Sequence, residues 1–89
     1  MSNRETMEQL EHRMLAAERL VPVGCGIRHV KSGGEYLVTG HAVRVGDLAL
    51  MVQYSPRHNT GVVFSREVAA IRAKFVRCDG EEWSEVSDE

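Results

Sequence analysis

Between Leu20 and Gly26 the period of the apolar residues changes, and that change restricts the chain to a helix followed by a β body. Before it, Met7, Leu10, Met14, Ala17 and Val21 recur at intervals of three and four, which puts them on one face of a helix. Ser2 followed by Glu5 has the capping-box pattern that satisfies two backbone donors, and Pro22 bars continuation. The spacing therefore predicts a helix from about Asn3 to Leu20. That face spans little more than two heptads, too few to specify a coiled coil, so packing onto the body is expected. Pairing of two copies through this helix, a homodimer, is the alternative.

After Gly24 and Gly26, β-branched and aromatic residues dominate and turn formers punctuate the chain. In "LALMVQY", residues 48 to 54, Leu48, Leu50, Val52 and Tyr54 alternate onto one side, the expected core face. Gly46 and Asp47 before it predict a two-residue hairpin connection between Val45 and Leu48. "IRHV" and "EYLVT" flank "KSGG" as a first hairpin in which Tyr36 and Val38 share a face. "SPRHNTG" reads as a loop leading to a strand at "VVF". Ser65 is a candidate cap for a short helical turn carrying Val68, Ile71 and Phe75, with a last strand near "KFVR". The expected fold is α+β and mainly β: an N-terminal amphipathic helix packed on a small antiparallel SH3-like barrel or curled sheet. The segments are residues 1–22 (helix), 23–78 (β body) and 79–89, an acidic tail expected to be disordered except where Trp83 docks.

A chain of 89 residues holds one small domain, and no apolar run approaches the roughly 20 residues of a membrane helix. The N-terminal segment lacks the apolar core of a secretory signal, so the chain reads as cytoplasmic, with no membrane partner. The net charge of −2 conceals a segregation: residues 22 to 78 carry eight basic and three acidic groups, whereas residues 79 to 89 carry six acidic groups and none basic. Such a tail either screens the body or mimics a polyanion toward a basic partner. Cys25 and Cys78 are expected as buried thiols, with a disulfide open if the first and last strands meet.

The chemistry-bearing residues do not assemble into a reaction. His12, His29, His41, His58, Cys25 and Cys78 lack the paired short spacings of a zinc site, although His29 and His41 could approach across strands. Ser32, Thr39, Ser55 and Ser65 have no nucleophile-elbow surroundings. "KSGG" lacks the longer glycine loop and the following helix of a phosphate cradle. No enzymatic activity, metal or cofactor is therefore expected. Arg28, Lys31, Arg44 and Arg57 could form a basic face, with His58 and Asn59 in the adjoining loop, suited to a partner protein or, through phosphate attraction, to nucleic acid or a nucleotide.

From about residue 27 to residue 77 the chain resembles a family of small prokaryotic and phage proteins known as domain of unknown function 1653. The matching residues are Arg28, His29, Lys31, Gly34, Tyr36, Val38, Gly40 and Ala42 in "RHVKSGGEYLVTGHA", followed by "LMVQY" ending at Tyr54. Where members carry Trp-Val-Arg-Pro this chain has "VVFSREV", with Phe64 for the aromatic, Arg66 for the arginine and no proline. The resemblance implies a small barrel-like module without established chemistry, and its presence in phages implies a regulatory or counter-defence role. It carries over no catalytic residues.

The reading from sequence is thus a noncatalytic binding module acting on a protein partner, with Arg28, Lys31, Arg44, Arg57, His58 and Asn59 as its contacts. Nucleic-acid or nucleotide binding through the basic body is the alternative.

Overall fold

The computed structural model describes residues 5–83. Its first element is helix α1, Met7–Leu20. The helix starts later than Ser2 predicts because Thr6 is the cap: its hydroxyl accepts the Gln9 N–H at 3.0 Å, and the Gln9 side chain accepts the Thr6 N–H at 2.9 Å. Ser2 itself lies outside the described residues. The apolar stripe is buried only toward its end, at Ala17 and Val21, whereas Met7 remains 71% exposed.

Five strands follow: β1 (Gly26–His29), β2 (Glu35–Val43), β3 (Leu50–Pro56), β4 (Phe64–Glu67) and β5 (Phe75–Arg77), with helix α2 (Val68–Lys74) between the last two. All pairings are antiparallel, and the order across the sheet is β4-β3-β2-β1-β5. The β1–β2 hairpin forms as the glycines predict, with Gly33 at φ 79° and its N–H on the His29 carbonyl at 2.8 Å. "EYLVT" and "HAV" belong to one strand rather than two. The register slips between Val38 and Gly40, so β2 passes through a bulge at Thr39 whose hydroxyl donates to the Gln53 carbonyl at 3.3 Å.

The β2–β3 connection departs from the two-residue hairpin. It spans residues 44–49, and Leu48, not Gly46, takes the positive φ, at 60°. Hydrogen bonds hold Leu48 there: its N–H reaches the Arg44 carbonyl at 2.7 Å, and Asp47 Oδ1 accepts the Ala49 N–H at 3.1 Å. β4 also starts later than "VVF" predicts, since Asn59 closes the preceding loop. Its Oδ1 accepts the Gly61 N–H at 3.2 Å and its carbonyl accepts the Val62 N–H at 3.2 Å, carrying Val62 and Val63 outside the strand. Ser65 accordingly lies in β4, and Glu67 takes the N-cap position of α2 without a side-chain cap.

The sheet is strongly curled but not closed into a barrel. In a flat sheet, β3 and β5 would lie three strand intervals apart, about 14 Å. Yet the Tyr54 and Phe75 rings meet at 5.4 Å, and the Arg66 guanidinium on β4 sits 5.9 Å from the Phe75 ring on β5. Strands β4 and β5 remain the two edges, facing each other across a seam. Inside the curl lie Ile27, Val38, Val52, Tyr54 and Phe75, closed by Val21 behind α1 and Ile71 on α2. Trp83 packs against this cluster and donates Nε1–H to the Phe75 carbonyl at 3.0 Å, as its expected docking requires. The expectation of disorder for residues 84–89 falls outside the described residues.

Ile71 is fully buried on a two-turn helix, so Ile71→Ala is expected to destabilise the fold by about 2–5 kcal/mol in urea unfolding. Val45→Ala, at a position 87% exposed, should change stability by less than about 0.5 kcal/mol.

Candidate recognition surface

The structure does not gather the six residues expected to form a binding face into one cluster. β2 separates Lys31, in the turn before its first residue, from Arg44, just past its last, by about 26 Å of extended chain. Arg44 is also neutralised. Its Nε and Nη2 donate to Asp47 at 2.9 and 2.7 Å, and Nη2 also reaches Glu67 at 2.7 Å, bracing the β2–β3 loop against the end of β4. Arg57 lies 3.6 Å from Glu35 and crosses Gly26, where a β-carbon would stand only 2.5 Å from its Nη2. That Nη2 is the tip of an exposed, flexible side chain that can move aside, and Cys78 Cβ and Sγ, at 3.4 and 3.5 Å, would be the next neighbours of a β-carbon. Arg28, Lys31 and His58 are exposed near the β1–β2 end, and Asn59 is occupied in closing its own loop.

The sequence reading missed the seam. There Phe64, 44% exposed, meets the half-buried Tyr36 edge-on with ring centroids 6.3 Å apart. Arg66, two residues along β4 and on the same side, donates Nε–H to the Tyr54 hydroxyl at 2.9 Å. His29 continues the row, its ring 4.9 Å from that of Phe75. The surface thus combines two partly accessible aromatic rings and one guanidinium held in place. Tyrosine and arginine are among the residues that most often dominate recognition energetics. The pattern "FSRE" contained the signal, since Phe64 and Arg66 alternate onto one side. Placing the strand at "VVF" rather than "FSRE" concealed it.

Elsewhere, His29 and Ser32 have a structural role. Nδ1 of His29 lies 3.0 Å from the Ser32 hydroxyl and 3.3 Å from the Ser32 N–H, while that hydroxyl accepts the Gly34 N–H at 3.2 Å, so the pair closes the β1–β2 turn. His29 and His41 do not meet: the first pairs with Phe75 and the second with Val52. Cys25 and Cys78 are free thiols that line one cleft with Arg57, Arg77 and Asp79, because β5 pairs with β1 and the Cys78 N–H reaches the Gly26 carbonyl at 2.9 Å. Burial pushes the Cys25 thiol above its ordinary value, against the partial opposing effect of Arg77, which keeps it protonated and poorly nucleophilic. Among the described residues, no group of three or more His, Cys, Asp or Glu is placed to hold a metal ion, and no helix is long and apolar enough to cross a membrane.

No family model, curated protein or solved structure matches the chain, so function rests on this geometry.

Hydrogen bonds from Arg44, then the Ala49 N–H, hold the Asp47 carboxyl below its ordinary 3.8, at about 2. A folded-state value below the unfolded one stabilises the protein above the unfolded value, and the benefit disappears as pH falls through the folded value. Stability should therefore decline between about pH 4 and pH 2, and Asp47→Asn should flatten that part of a urea-unfolding pH series.

Proposed function

We propose that this chain is a noncatalytic module that recognises a protein segment through the seam between β4 and β5. The observation that carries this reading is the exposed Phe64 on the half-buried Tyr36, beside the positioned Arg66. An accessible aromatic surface flanked by a charged group suits a partner that buries side chains, and it offers no reacting group. A regulatory role follows from such binding.

Charge distribution favours a protein over nucleic acid. Four arginines already face carboxylates: Arg13 with Glu5, Arg44 with Asp47 and Glu67, Arg57 with Glu35, and Arg77 with Asp79. A polyanion would have to compete with each of these pairs, which weakens the salt-dependent phosphate attraction expected of a basic body.

The test compares affinity capture by the unaltered protein, Phe64→Asp and a Val45→Asp control, each checked for folding by circular dichroism. A protein retained by the unaltered chain and by Val45→Asp but reduced at least about tenfold by Phe64→Asp is the expected result, the loss typical of a central interface residue. Equal retention by all three, or recovery of nucleic acid alone in a salt-sensitive manner, overturns the proposal.

A further inference from the structure

Strand β4 ends the sheet, and among the described residues it pairs with β3 alone. Its other edge therefore presents backbone N–H and C=O groups that no strand covers, a template for a further strand. Its side chains alternate between the two sides of the sheet. Phe64 and Arg66, opposite Tyr54 and Val52 of β3, share the side of the buried core, whereas Ser65 and Glu67 take the other. The Glu67 carboxylate is already engaged by Arg44 at 2.7 Å, and Ser65 is exposed.

Arg66 differs from the four arginines that face carboxylates. Its Nε donates to the Tyr54 hydroxyl at 2.9 Å and its guanidinium lies 5.9 Å from the centre of the Phe75 ring, so it is held in place without a carboxylate partner among the described residues. The bond to Tyr54 uses Nε and leaves the two terminal nitrogens, a pair that can grip both oxygens of one carboxylate. Phe64, two positions along the same side, is 44% exposed. In an extended segment laid along this edge, residues directly opposite those of β4 share their side, with β-carbons about 4.5–5.5 Å apart. The residue opposite Arg66 thus meets a cation, and the one opposite Phe64 meets an aromatic ring. The residue between them turns to the Ser65 side, where no charge awaits it.

We infer that the partner protein adds an extended strand to the free edge of β4, with a carboxylate opposite Arg66 and an apolar side chain, two positions away, opposite Phe64. Backbone hydrogen bonds along the edge hold the segment, and the two alternate side chains select it. Charge complementarity with Arg66 favours this occupant over a second copy of the chain, because the one acid of β4, Glu67, is engaged by Arg44. The inference rests on the reading of the Phe64 surface as a recognition site and adds the chemistry and spacing of what it recognises.

The test selects from a displayed library of random twelve-residue peptides on the full chain, on Arg66→Glu and on the Val45→Asp control, each checked for folding by circular dichroism. Peptides enriched by the unaltered chain and the control should carry Asp or Glu two positions from an aliphatic or aromatic residue, and Arg66→Glu should exchange that acid for Lys or Arg. An enriched peptide remade with the amide in place of its acid should bind the unaltered chain at least about threefold more weakly. Because Arg66 also bonds Tyr54, this second reading, which alters only the peptide, stands should Arg66→Glu fold poorly. The bound peptide should slow hydrogen exchange at backbone amides within residues 64–67. No enrichment, enrichment without the acid, equal affinity for the amide peptide, or protection only outside residues 64–67 overturns the inference. Self-association of the chain alone with protection of 64–67 assigns the edge to a second copy and also overturns it. The two proposals fail separately. Phe64-dependent capture of a protein that ignores Arg66→Glu sinks strand addition alone, and the expected peptide selection without Phe64-dependent capture of any native protein sinks the proposed function alone.

Discussion

The pairing of β5 on β1 is the constraint on which the rest of the structure depends. It joins residues 27–29 to residues 75–77, so the chain must close a loop of nearly fifty residues to form three paired positions. Loop-closure entropy opposes so short a ladder, and buried side chains provide the compensation. Phe75 and Ile71 pack on Ile27, Val38, Val52 and Tyr54, covering the inside of the curl. Without β5, the Tyr54 ring would keep Tyr36 but lose its second edge-on neighbour, and Arg66 would lose the Phe75 face over which it lies.

The same pairing leaves the sheet open. β5 pairs with β1 and not with β4, and α2 occupies the connection between the two edges. Exposed edges invite unwanted pairing, and this fold limits them by different means. Trp83 covers part of the β5 edge through its indole N–H, while Arg66 fills the gap from the β4 side. The accessible aromatic surface follows from that incomplete closure. Phe64 and Tyr36 stay partly exposed because no strand is laid over them.

Local pattern made several elements legible. The interval of three and four brought Ala17 and Val21 to the core, and alternation correctly selected Val52 and Tyr54 as buried. Local pattern failed where a specific hydrogen bond competed with it. Thr6 displaced Ser2 as the cap because Gln9 completes its reciprocal bonds, and Leu48 took the left-handed position expected of Gly46 because Asp47 and Arg44 hold that turn. The residues of the expected binding face are dispersed for a related reason. Counting basic residues cannot tell Arg44, committed to Asp47 and Glu67, from Arg28, which stands exposed.

The sequence by itself determined the division into helix and β body, the inward side of the long strand and the segregation of acidic residues at the end of the chain. Each depends on neighbours within a few positions, where backbone geometry sets which side chains share a face. Only the tertiary structure decided that the curl stops short of a barrel, that Phe64 and Tyr36 form a surface beside Arg66, and which arginines keep free charge. These depend on residues far apart in sequence, such as Arg44 with Glu67 and Tyr54 with Phe75, whose meeting is a property of the closed chain.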